Sequence, residues 1–267
     1  MRHNLCMRRP VSLWIFALII TLASAVYQRM TGPSYPSRGK VRLGASEVSY
    51  RLPRTQGDGD AEVRVPVADV AVQGQVGWKR YKTKDAWAYL TMAREGGALV
   101  ARLPHQMPAG KLLYRVILQQ DMERVSLGGA PVVIRFKGEV PLAVLVVHVI
   151  CMFGGMLFST RAALEFFSPA PAYSKLILVT VILLSVGGLV LGPVVQKYAF
   201  DAYWTGWPFG TDLTDNKTAV AWLAWVIAWF KMRRDAGAWR WVVGAAVLTL
   251  VVFGIPHSVF GSELKYE

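Results

Sequence analysis

Cysteine is scarce in this chain, with two in 267 residues. Cys6 precedes the first apolar run and Cys151 lies inside a later one, so the two are not placed to pair. The polar stretch 28–138 holds none. A domain built there must fold on its apolar core, without a disulfide. Acidic residues are also few, 17 against 30 Lys and Arg, and there are only four histidines. The catalytic and metal signatures H-E-x-x-H, C-x-x-C and G-x-S-x-G are absent. No strong motif therefore fixes a chemistry, and architecture is the first thing the residues establish.

Long apolar runs are what the chain does have. They fall at 11–26, 140–158, 176–195, 218–230 and 241–255. Between the first and second lies a basic stretch of about a hundred residues, too polar to enter a bilayer. This pattern predicts a membrane α-helical bundle of four or five spans carrying one sizeable water-exposed domain. The first run has a basic start, an apolar centre and Ala23-Ser24-Ala25, an A-x-A pattern. It reads either as a signal peptide or as an uncleaved anchor.

Basic residues give an orientation. Arg2, Arg8 and Arg9 precede the first run, Arg161 and Lys175 follow the second, and Lys231, Arg233, Arg234 and Arg240 follow the fourth. If every run crosses, all three groups share one side, and short basic loops stay cytoplasmic. The expected location is a bacterial inner (cytoplasmic) membrane, N-terminus inside. The 28–138 domain, the 196–214 loop and the C-terminus then lie outside, and nucleic acid is not an expected partner.

The expected domains are an anchor or signal peptide (1–27), an exported domain (28–138) and a four-helix transmembrane domain (139–267). Within 28–138, short β-rich segments alternate with turn signals such as Gly57-Asp58-Gly59-Asp60, Gly96-Gly97, Pro108-Ala109-Gly110 and Gly128-Gly129. This spacing predicts an exported all-β sandwich. The stretch 87–118, with a tryptophan strand, a turn, "ALVARLP" and "PAGKLLYRVIL", resembles immunoglobulin-like or fibronectin type III-like domains over about 38–137. That resemblance implies a fold and not an activity, since such domains bind, space or scaffold. Two basic groups, Lys79, Arg80, Lys82 and Lys84 and then Arg38, Lys40 and Arg42, read as solvated edge strands. The other reading is contact with anionic lipid, acidic polysaccharide or an acidic partner.

Site candidates cluster near the outer ends of the helices. Strictly apolar residues in the fourth run cover only 219–230, about 18 Å of helix against a hydrocarbon core of about 30 Å. The helix must start earlier, near Thr214 or Asp215 as N-cap. Asp215, Asn216 and Lys217 are then drawn to membrane depth, where an Asp–Lys pair or a bound ion would settle them. Asp201, Asp212, His257 and Glu263 lie on the same side. They either converge on a metal or an acid–base pair, or they form a hydrogen-bonded cap. Trp222, Trp225 and Trp229 share one helix face, as packing or lipid-facing surface.

His148 is the one histidine inside an apolar run and is a functional candidate by its place. Its depth differs from that of His257, which argues against a bis-histidine haem, and Met152 and Met156 share its own helix. No cofactor is expected, with metal or haem as the alternative. The segments "WTGWPFGTDLTDNKT" and "IPHSVFGSEL" resemble a prokaryotic multi-spanning membrane family, which implies no activity. The expected function is recognition or scaffolding of a protein partner by the exported domain, with membrane lipids around the bundle. The alternative is a membrane enzyme or redox or metal subunit with a site at the outer face.

Overall fold

The computed structural model describes residues 2–44, 46–210, 212–256, Leu264 and Tyr266, with the backbone alone over 2–10. The chain is a mixed helix and sheet protein. A long helix α1 (Arg2–Thr31) is followed by eleven strands and then by the remaining helices. Contacts divide it into two compact units. One holds the helices, and the other holds 33–139 together with 199–201, Leu264 and Tyr266.

The strands are β1 (Ser37–Leu43), β2 (Ser46–Leu52), β3 (Thr55–Gln56), β4 (Ala61–Pro66), β5 (Gln73–Arg80), β6 (Ala88–Thr91), β7 (Ala93–Glu95), β8 (Ala98–Leu103), β9 (Lys111–Gln120), β10 (Glu123–Ser126) and β11 (Val132–Phe136). They form a β1–β2 hairpin, a three-stranded sheet β4-β8-β7, and a six-stranded sheet β3-β11-β9-β5-β6 in which β10 also pairs with β9. β9 is long enough to be shared. β5 lies along one side, while β11 takes its first half and β10 its second on the other. Alternation sets the faces: Ala61, Val63 and Val65 of β4 are buried, and Glu62, Arg64 and Pro66 are exposed. Leu52, Val63, Val76, Leu103, Tyr114 and Phe136, from six strands of all three sheets, join one apolar core. Each such side chain contributes about 1.5–3 kcal/mol on burial. The two-residue β7–β8 turn has Gly96 at φ +55° and Gly97 at φ +75°, the left-handed pair a tight hairpin requires.

In the other unit, α2 (Leu142–Leu164) runs on into a 3-10 turn at Glu165–Phe167. Next, α3 (Tyr173–Leu184) passes through a π-helical segment, Ser185–Leu191, into α4 (Gly192–Phe200). The wider winding sits just before Pro193, whose ring cannot donate to the preceding turn. α5 (Leu213–Arg234) and α6 (Trp239–Gly254) complete the unit. Three stretches are long and apolar enough to cross a membrane: Val11–Thr31, Leu142–Phe167 and Tyr173–Phe200. α6 is apolar but only 16 residues long. α5 has the length, at 22 residues, but carries charge at both ends.

Two expectations are corrected here and a third is narrowed. The helix through 218–230 begins at Leu213, with Asp212 as its N-cap in place of Thr214 or Asp215. The Asp212 Oδ1 accepts from the Thr214 N–H. Arg161 belongs to no loop. It is buried at the end of α2, ion-paired to Glu165 one turn on, and its guanidinium lies 5.5 Å from the centre of the Trp14 ring. The tryptophan stripe is packing surface: Trp225 is fully buried and donates to the Thr249 hydroxyl at 2.8 Å, while Trp222 donates to the Ser185 hydroxyl at 2.8 Å.

Candidate functional site

The start of α5 gathers four of the expected site residues, and each has a defined partner. Asp212 Oδ1 accepts from Thr214 N–H at 2.7 Å, and the Asp212 N–H donates to the Thr205 carbonyl at 2.9 Å. Asp215, in the first turn, sits where the partial positive charge of a helix N-terminus favours a carboxylate. Its Oδ2 accepts from the N–H groups of Thr205 at 2.7 Å and Gly206 at 3.0 Å, and from Gln196 Nε2 at 3.2 Å. The Thr205 hydroxyl accepts from Gln196 Nε2 at 2.7 Å and reaches Asp212 Oδ2 at 3.1 Å. Asn216 Oδ1 accepts from Trp207 N–H at 2.7 Å.

The loop that these side chains hold is shaped to fit them. At Gly206 a Cβ would lie 2.7 Å from both Asn216 Oδ1 and Asp215 Cβ, so a larger residue would push the loop off the helix. The Gly206 carbonyl accepts from Phe209 and Gly210 N–H, each at 2.9 Å. Tyr203, Trp207 and Phe209 point outward, well exposed. Asp215 is therefore a buried acceptor engaged by donors from the loop it closes, which gives it the part of a cap.

Lys217 is near enough to that network to sense the Asp212 carboxylate, but its hydrogen bond lies elsewhere. Its Nζ donates to the Ile255 carbonyl just past the end of α6. The expected Asp215–Lys217 pair does not form, because residues two apart on a helix point to different faces. Asp201 is exposed, at φ +61°, in the strand-bearing unit. His257 and Glu263 lie outside the described residues. Among the described residues, no group of three or more His, Cys, Asp or Glu side chains could hold a metal ion.

His148, half-buried on α2, has its Nδ1 2.9 Å from the Gly187 carbonyl in the π segment, so that nitrogen carries the proton and donates. A π turn shifts the backbone hydrogen-bond pattern, and His148 supplies a donor to one of its carbonyls.

The strand-bearing unit carries a second group that runs across three strands. Tyr89 of β6 stands opposite Gly77 of β5, which stands opposite Arg115 of β9. The missing side chain at Gly77 leaves the space that Tyr89 and Arg115 fill, since a Cβ there would lie 2.8 Å from the Tyr89 ring. Arg115 donates to the Tyr89 hydroxyl, and its guanidinium lies 5.7 Å from the Tyr89 ring centre and 4.6 Å from that of Trp87. Lys79 Nζ lies 5.8 Å from Trp87. Neither Lys79 nor Arg115 makes an ion pair among the described residues, and the basic groups around them differ in this. Arg80 is held bidentately by Asp85 at 2.7 and 3.1 Å, which keeps the Asp85 carboxyl below its usual range. Lys40 pairs with Glu47 at 2.7 Å. The basic cluster 79–84 is visible in the sequence; the part played by Arg115 needs the register that brings β9 beside β5.

Comparison of the chain with protein-family models, with curated proteins and with solved structures gives no match.

Proposed function

We propose that this is a multi-spanning inner-membrane protein whose extracytoplasmic domain, an immunoglobulin-like β-sandwich, recognises an acidic segment of a protein partner. The observation that carries the reading is the Lys79–Trp87–Arg115–Tyr89 face of the β5–β6–β9 sheet. Two cations without carboxylate partners are oriented there by aromatic rings, an arrangement suited to carboxylates arriving from another molecule. A sugar stacks on an open ring face, and here the Arg115 guanidinium lies over both rings, so a protein carboxylate fits better than a polysaccharide. One core shared by three sheets, antiparallel except for the short β3–β11 pair, supports the sandwich.

The outer-face cluster supports binding over catalysis. Asp212, Asp215 and Asn216 are occupied with the loop 204–210, and the enzyme reading has no free acid–base pair among the described residues. The apolar stretches support membrane insertion. An uncleaved first helix is favoured by its contacts: Trp14 packs edge-on against Phe158, and Gln28 Nε2 donates to the Phe253 carbonyl at 2.7 Å.

The test is photo-crosslinking in the native membrane, with a photoreactive residue in place of Thr91, two residues from Tyr89 on the same face of β6, or of Glu62 on the β4 sheet. The expected result is a discrete adduct from position 91, absent at 62, and lost when Lys79→Ala and Arg115→Ala are combined. Equal labelling from both positions, or an adduct indifferent to the two cations, refutes it.

A further inference from the structure

We infer that the groove between α5 and α6 is a binding site for one anionic phospholipid, its phosphate at Arg240 and Lys231 and an acyl chain along the helices. The groove has a volume of about 360 Å³ and is lined by Ala224 and Ile227 of α5 and by Arg240, Trp241, Gly244, Ala245 and Leu248 of α6. The α6 lining residues recur at helical spacing from 240 to 248, with the small pair Gly244 and Ala245 at the middle, so the slot runs about two turns along the helix. Nothing lies within 4 Å of where a Gly244 Cβ would stand, so the slot is open at its middle.

Charge says what fills it. One end of an otherwise apolar slot carries Arg240, and Lys231 Nζ lies 5.1 Å from the centre of the Trp241 ring that lines the same end. Arg233 and Arg234 stand beside them, and among the described residues none of the four cations makes an ion pair. Asp235, the nearest carboxylate in sequence, accepts from Gly237 N–H at 2.7 Å. An apolar slot ending in unpaired cations and a tryptophan matches an anionic lipid, whose chain and phosphate separate in the same way. Under the proposed topology this end faces the cytoplasmic leaflet, where anionic lipid is concentrated. The inference rests on the bundle lying in a bilayer, but not on the role of the β-domain.

The test uses the full chain in detergent, given equimolar phosphatidylglycerol and phosphatidylcholine, with bound lipid counted by native mass spectrometry. Wild type should favour phosphatidylglycerol about thirtyfold, as expected for two cations at a headgroup. Gly244→Phe, whose Cβ meets no protein atom and whose ring would occupy the slot, should lose both lipids. Ile227→Trp, on the facing helix, should do the same and guards against a folding defect in the first variant. Arg240→Gln with Lys231→Gln should still bind lipid but without preference. Equal binding of the two lipids by wild type overturns the inference, as does a preference that survives all these variants. Glycerophosphoglycerol, the headgroup without chains, should not bind; binding as tight as the lipid's would mean a phosphate site and overturn the lipid groove. Release of the protein from membranes by alkaline carbonate would instead overturn the membrane reading, and this inference with it.

Discussion

Asp215 shows how a charged residue at the edge of an apolar run can be structural. Its carboxylate closes the loop 204–210 through two backbone N–H groups and Gln196. Asp215→Ala strands these donors and should lower stability by about 1–3 kcal/mol. Lys217→Ala removes a single hydrogen bond to the Ile255 carbonyl and should cost about 1 kcal/mol. The two side chains share no hydrogen-bond partner, though each senses the Asp212 carboxylate, so the double variant should depart from additivity by less than about 1 kcal/mol. Thermal unfolding of the detergent-solubilised protein gives all three values, and strong non-additivity would restore the Asp–Lys pair. That Asp215 must be engaged is legible from the shortness of the apolar run 219–230. Its partners are not legible, since backbone N–H groups carry no residue identity. Tyr114 gives a second prediction at this scale. Its hydroxyl donates to the Pro53 carbonyl at 2.7 Å inside the β core, and burial pushes its ionisation far above the usual tyrosine range. A raised value means stability present below about pH 10 and lost as pH rises beyond it, because the unfolded chain ionises first. Tyr114→Phe should be less stable than wild type at pH 7 by about 0.5–1.5 kcal/mol. The gap should narrow between pH 10 and 11.5; a constant gap in unfolding midpoint would contradict the buried hydroxyl.

Among the helices, close approach is set at glycines, and not all of the small residues that stand four apart matter equally. At Gly188 a Cβ would lie 2.6 Å from Thr218 Cγ2 of α5, and at Gly187 it would lie 2.7 Å from Cys151 Cβ of α2. At Gly192 the nearest atom would be 3.5 Å away, an ordinary contact. Gly187→Ala and Gly188→Ala should each lower the unfolding midpoint, at a cost of about 1–3 kcal/mol for overpacking. Gly192→Ala should leave it nearly unchanged; three equal shifts would remove the distinction. The small-residue spacing is readable in the sequence, which marks Gly188 and Gly192 as one pair. The π segment separates their roles, and nothing short of the helix path reveals it. The strands are more legible because period-two alternation and glycine turns act locally. β3, two residues long and paired in parallel with β11, has no such signal, since its pairing partner lies some eighty residues on.

At the scale of the whole molecule, the described contacts bear on how many times the chain would cross a bilayer. The strand-bearing unit includes residues from three places in the sequence. Gly138 N–H donates to the Ala199 carbonyl at 3.0 Å, and the Arg135 guanidinium lies 5.3 Å from the Phe200 ring centre. Leu264 N–H donates to the Ala109 carbonyl at 3.2 Å, and the Tyr266 hydroxyl accepts from Lys111 N–H at 2.9 Å. Residues that touch one folded domain share its side of a membrane. In a bilayer the chain would therefore make an even number of crossings from Gly138 to Ala199 and again to Tyr266. Two helical stretches precede Ala199, and α5 and α6 follow it, so both counts are met if every one crosses. The buried Arg161–Glu165 pair removes one cation from the topology argument, because a neutralised pair inside the bundle does not act as a loop charge. If every one of these helices crosses, Lys175, which is exposed, and the group Lys231, Arg233, Arg234 and Arg240 would still fall together on the other side. Alkaline phosphatase, which is active only outside the cytoplasm, should therefore be active when fused after Tyr266 and inactive when fused after Arg234. Activity at both positions would mean that α5 and α6 do not cross but lie as a hairpin outside, and the reverse result would mean an inverted topology; in either case the cations at their turn would not face the cytoplasmic leaflet.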